Sequence, residues 1–98
     1  MNSRLKAEHM DDLFNAILSL QTIDERYNFF EDLCTINELH AMEQRFQVAR
    51  MLDRGQLYSE IVQETGASTA TISRVNKCLT YGTDGYRTVI DRIKQEDE

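Results

Sequence analysis

Gly66-Ala67-Ser68-Thr69-Ala70-Thr71-Ile72-Ser73-Arg74 is the stretch on which the reading of this chain turns. It follows a short amphipathic segment, Tyr58 to Thr65, and reads as the turn and second helix of a helix-turn-helix. Gly66 gives the backbone the freedom to leave the first helix through a left-handed residue. Ser68 can cap the next helix by accepting a bond from a free N–H. Ile72 and Val75 lie three apart on one helical face and can lock the second helix onto Ile61 and Val62 of the first. Ser68, Thr69, Ala70, Thr71, Ser73 and Arg74 are then left outward, and no carboxylate occurs between Thr65 and Thr83. A plain helical hairpin has the same spacing. Its solvent face, however, would ordinarily carry Glu and Lys, whereas this one is rich in Ser and Thr, which are poor helix formers. A helix that approaches base edges and phosphates needs such a face.

The rest of the chain predicts a small all-α protein. Its 98 residues suit one domain, there is no Pro and only four Gly, and apolar residues recur at helical spacing. No long apolar run and no charged-then-apolar N-terminal layout occur, which predicts a cytoplasmic protein without a membrane span or signal peptide. Cys34 and Cys78 have no metal-type spacing and read as small core or boundary residues. His9 and His40 read as surface or boundary residues, so no metal site is expected. Neither a Ser/His/Asp set nor a phosphate-cradling Gly loop is present, and no enzyme or catalytic residue is expected.

The net charge of −6 opposes phosphate binding if taken as one number. Its distribution says more. Residues 1–43 carry nine acidic and three basic side chains, whereas residues 44–98 carry eight of each. The acidity belongs to the N-terminal half, and Arg74 and Lys77 make the hairpin locally positive.

Six helices are predicted. Arg4 to Leu20 forms the first, with Met10, Leu13, Phe14, Ile17 and Leu18 on one broad face. Thr22-Ile23-Asp24-Glu25 is a capping box opening a second helix with a Tyr27, Phe30, Leu33 stripe. Thr35-Ile36-Asn37-Glu38 opens a long third helix to about Arg54, stopped by Gly55, with Leu39, Met42, Phe46, Ala49 and Leu52 buried. The hairpin runs from about Tyr58 to Leu79. A last helix runs from about Asp84 to Lys94 with Tyr86, Val89, Ile90 and Ile93 inward, followed by a frayed tail, Gln95 to Glu98. Short, strongly apolar N-terminal helices bury little alone, so a second copy is expected to cover them.

Leu33-Cys34-Thr35-Ile36-Asn37-Glu38, the helix ending Arg54-Gly55, and Gly66-Ala67 followed by Ala70-Thr71-Ile72-Ser73-Arg74 resemble the Trp repressor superfamily. The resemblance is to its small Trp-repressor-related (YerC/YecD-like) proteins of Gram-positive bacteria, over roughly residues 10–94. It implies an intertwined homodimer with dimerisation helices at about 4–54 and 84–94 and a helix-turn-helix at about 58–80, in a single domain over 1–98. In the tryptophan-responsive repressor, indole sits between the third helix and the recognition helix. Thr35, Arg45 and Arg74 match positions lining that pocket. Val75 stands where the tryptophan-binding branch has Gly, and Cys78 where it has a Ser that helps hold the ligand's amino group. The segment between Gly55 and Gly66 is one residue shorter. A β-branched side chain should fill the indole slot, and a thiol is a poor partner for an ammonium, so tryptophan is not expected as corepressor.

The function expected is a sequence-specific transcription regulator, a repressor, binding double-stranded DNA as a homodimer. Thr69, Ala70, Thr71 and Ser73 lie toward base edges, and the cap residue Ser68 belongs to the same DNA-facing set. Arg74, Lys77, Ser59 and Gln63 lie toward phosphates. Thr35, Arg45, Arg74, Val75 and Cys78 are the ligand-pocket candidates, and no cofactor is expected. The alternatives are a regulator dependent on another small molecule, or a helical protein-interaction module that no longer binds DNA.

Overall fold

The computed structural model describes residues 7–97. Among them are six α-helices and no strands: α1 (Glu8–Ser19), α2 (Ile23–Leu33), α3 (Ile36–Asp53), α4 (Tyr58–Thr65), α5 (Thr69–Tyr81) and α6 (Gly85–Asp97). The protein is all-α, as its apolar spacing predicts. The start expected for the first helix, Arg4 to Lys6, lies outside the described residues, as does Glu98. The chain divides into two compact units, one up to Ile36 and one from Asn37 onward.

The first unit holds α1 and α2. Thr22 Oγ1 accepts from the Glu25 amide at 3.1 Å. The Glu25 carboxylate accepts from the Gln21 amide at 2.7 Å, one residue earlier than a strict capping box. The Arg26 guanidinium donates to the carbonyls of Thr22 (2.9 Å) and Leu20 (3.0 Å), so one side chain closes the turn between the helices. No residue of α1 or α2 is buried. Of the expected apolar faces, Met10, Leu13, Ile17 and Phe30 are half-buried, while Phe14, Leu18, Tyr27 and Leu33 are exposed.

The second unit holds the core: Val48, Ala49 and Met51 of α3, Ile61 of α4, Ala67 of the turn that follows it, Ile72 and Val75 of α5, and Ile90 of α6. Phe46, Leu52, Leu79 and Tyr86 pack around it. Here the expected third-helix stripe is corrected. Met42 is exposed, and Val48 and Met51, which the stripe omitted, are among the most buried residues. Apolar residues lie on every side of α3, so three-and-four spacing alone does not single out its core face. Val62 and Val89, expected inward, are also exposed, leaving Ile61 and Ile90 as the buried residues of α4 and α6.

The last two helices are longer than expected. α5 ends at Tyr81 rather than Leu79, and α6 continues through the expected frayed tail to Asp97. An ion-pair cluster ties α6 to α3. Asp53 Oδ1 lies 2.6 Å from Arg87 Nη1, Asp53 Oδ2 lies 2.5 Å from Lys94 Nζ, and the carboxylate side chain is 7% exposed. Arg87 also reaches Asp91 one turn on, at 3.3 Å. The Lys94 ammonium and then the Arg87 guanidinium hold the Asp53 carboxyl below its ordinary range, against the opposing effect of burial. Asp53, and then Asp91, in turn raise Arg87 above its usual value.

Candidate nucleic-acid interface

The turn between α4 and α5 is three residues, Gly66 to Ser68, tied to Thr65 and Thr71 of the flanking helices and braced by Gln44. Gly66 takes a left-handed φ of +71° and donates its N–H to the Val62 carbonyl at 2.9 Å, closing α4. Thr65 Oγ1 donates to the Ile61 carbonyl at 2.7 Å and accepts from the Ala67 amide at 3.1 Å. Gln44, on α3, donates its side-chain amide to the Thr65 carbonyl at 3.1 Å. Ala67 is buried in the core. Ser68 is the extended N-cap of α5: its hydroxyl accepts from the Thr71 amide at 3.1 Å and donates to Thr71 Oγ1 at 3.0 Å. Both ends of the turn are therefore fixed by hydrogen bonds, and Ile61, Ile72 and Val75 join in one cluster behind it.

This packing sets what α5 presents. Ala70, Ser73, Arg74 and Lys77 recur at the spacing of one helix face, opposite Ile72, Val75 and Leu79, and all four are exposed. Thr69 and Ser68 are exposed at the entry to the helix. Thr71 is half-buried and its hydroxyl is engaged by Ser68, which places it at the flank of this face. Arg74 and Lys77 form no ion pair with any described residue, so both charges are open to solvent. On α4, Ser59 and Gln63 are exposed one turn apart. The neighbouring Glu60 is engaged in the opening of its own helix, accepting from the Leu57 amide at 2.9 Å.

The residues carried over as a ligand pocket are placed differently from one another. Arg45 is half-buried on α3, and Arg74 and Cys78 are exposed on α5. Val75 is 2% exposed and belongs to the core. Thr35 precedes α3 and belongs to the first unit. Two surface concavities of the second unit, one of about 250 Å³ and one of about 390 Å³, are lined by other side chains than these five. Cys34 is half-buried, His9 and His40 are exposed, and no cluster of metal-ligating side chains occurs among the described residues. Among them, no helix is long and apolar enough to cross a membrane. The Asp53–Arg87–Lys94 cluster escaped the sequence reading. Its signal was an acid inside the apolar C-terminal half of α3, with two cations seven residues, or two helical turns, apart on α6.

The six-helix order and the α4–turn–α5 geometry can be set against known proteins. Residues 8–94 match the model of the Trp repressor protein family. The chain belongs to the Trp repressor family. It is 54% identical over 94 residues to YerC, an uncharacterized protein of Bacillus subtilis, covering 96% of this chain and 90% of that protein. Its structure is similar to that of a TrpR-like protein from Eubacterium eligens, with a TM-score of 0.91 and 55% identity over 95% of this chain and 96% of that one. A solved chain from Staphylococcus aureus matches with a TM-score of 0.89 and 49% identity over 93% of this chain and 91% of that one. The family match, over residues 8–94, takes in residues of both units.

Proposed function

We propose that this member of the Trp repressor family is a sequence-specific DNA-binding regulator that represses transcription by occupying a promoter as a homodimer. The observation that carries the reading is the exposed line Ala70, Ser73, Arg74 and Lys77, held by a turn hydrogen-bonded at both ends and free of carboxylates. Small side chains allow α5 to approach a groove closely. Thr methyls and Ala suit the thymine methyl, and hydroxyls serve several bases. Arg74 and Lys77 answer phosphates, with Ser59 and Gln63 of α4 as neutral phosphate partners. Four cationic side chains per dimer is a small electrostatic contribution on an acidic chain, so affinity depends on a good site more than on charge.

The homodimer is supported by the apolar side chains that α1 and α2 leave in water: Leu18 is 79%, Ile23 68% and Tyr27 65% exposed. A two-fold molecule presents two α5 helices to half-sites about 34 Å apart. Sedimentation at micromolar concentration is expected to give a dimer, and a single compact monomer would refute this part of the reading. Regulation by tryptophan is disfavoured by Val75, whose side chain occupies core volume rather than leaving a slot. The decisive experiment is incubation of the protein with genomic fragments and sequencing of what is retained. Enrichment of a two-fold-related site supports the reading. Retention without sequence preference, or none, favours a helical interaction module.

A further inference from the structure

The α3 residues Arg50 and Arg54 have no role in the reading above, and they border two concavities of the second unit. They lie one turn apart, so their like charges repel. Acidic side chains outnumber basic ones seventeen to eleven, yet neither guanidinium has an ion-pair partner among the described residues. Both line an open concavity of about 250 Å³ between α3 and α6, whose apolar surface is Ile90 and Ile93. Lys94 also lines it. Two acids do so as well. Asp53 is answered by Arg87 and Lys94 together, and Asp97 lies at the end of α6. The lining thus carries one net positive charge. The same two arginines border a second concavity, of about 390 Å³, where Glu43 and Glu64 cancel them. An anion therefore favours the α3–α6 side.

We propose that the concavity between α3 and α6 binds a small organic anion. Its carboxylate or phosphate head would lie against the guanidiniums of Arg50 and Arg54, and its short apolar part over Ile90 and Ile93. Guanidinium forks match either head bidentately, and the volume suits a metabolite smaller than a typical drug. The site shares no residue with the DNA-facing line or with Thr35, Arg45, Arg74, Val75 and Cys78, so a failure of DNA binding would leave it standing.

The test is an NMR titration of the full chain at low salt, observing the Ile90 and Ile93 methyl groups and the arginine Nε–H groups. The probes are inorganic phosphate, butyl phosphate and hexanoate. Saturable shifts confined to the α3–α6 concavity are expected, with the tailed anions binding about fivefold more tightly than inorganic phosphate through the buried alkyl chain. Arg50→Gln and Arg54→Gln should each weaken binding about tenfold without moving the thermal midpoint, and Arg54→Lys, which keeps the charge, should weaken it less. Tighter butyl phosphate assigns a phosphate ester, tighter hexanoate a carboxylate, and equal binding the shared oxyanion chemistry. Unsaturable shifts spread over Arg74, Lys77 and other surface cations would overturn the proposal. So would indifference to the arginine variants, equal binding of inorganic phosphate, or no shift at all, as follows if a second copy covers the concavity.

Discussion

Val75→Gly separates packing from ligand exclusion. Val75 is 2% exposed and packed with Ile61 and Ile72. Removing its three side-chain carbons forfeits about 0.8 kcal/mol each, or roughly 2.4 kcal/mol of transfer free energy. A residual cavity adds to this, and glycine within a helix costs about 1 kcal/mol more. The expected loss is therefore about 3–4 kcal/mol, with Val75→Ala near 2 kcal/mol. A domain stable by roughly 5–15 kcal/mol survives the change. Denaturant titration measures it, and a loss below about 1 kcal/mol would show that Val75 does not pack as described. Calorimetry with L-tryptophan on the same samples reads the second consequence. The wild type is expected not to bind, and micromolar binding by it would refute the steric argument outright. Binding gained only in Val75→Gly would show that Arg45 and Arg74 still form a usable wall. If neither binds, Cys78 or the shortened segment before Gly66 has removed the site.

Lys77→Ala should weaken all DNA sequences alike and reduce the salt slope by about one, while Thr71→Ala and Ser73→Ala should change preference by about 1–3 kcal/mol at one or two base pairs. Uniform loss in all three variants would mean that α5 faces DNA differently. Because the folded Asp53 carboxyl lies below its ordinary value of 3.8, its ion pairs contribute fully above that pH and are lost as pH falls through the lower folded value. Wild-type stability should therefore drop on acidification below about pH 4, and Asp53→Asn, already lacking that contribution, should show a flatter acid limb in urea titrations. A Cβ on Gly82 would collide with the Cys78 carbonyl oxygen, so Gly82→Ala should strain the end of α5 and lower the thermal midpoint. Gly66→Ala meets open space but keeps a left-handed φ, and should cost about 1–2 kcal/mol.

The hairpin was legible because its signals are local. Gly66, Ser68 and the Ile72/Val75 pair each act within a turn of their own position, and α4 begins and ends where expected. What escaped depended on distant partners. Met42 and Val48 are both apolar residues of α3, and only the placement of α4, α5 and α6 decides that the second is buried and the first is not. The length of α6 was misjudged for the same reason. Its charged end reads as a frayed tail until Asp53, far away in sequence, is seen to hold Arg87 and Lys94. The exposed line on α5 follows from the core residues between its members, whereas no local signal said that Arg50 and Arg54 would share a concavity with Ile90.

The absence of a buried residue in α1 and α2 has a thermodynamic meaning. Helices of 12 and 11 residues are marginal in water without tertiary cover. Their persistence is then set by mass action: whatever covers them contributes a term that grows with the logarithm of protein concentration. Amide hydrogens of α1 and α2 should exchange faster on dilution, while those around Ile61 and Ile72, sealed within their own unit, should respond less. Gene dosage would act on such a protein twice, once through the number of molecules and once through the fraction whose N-terminal helices are formed.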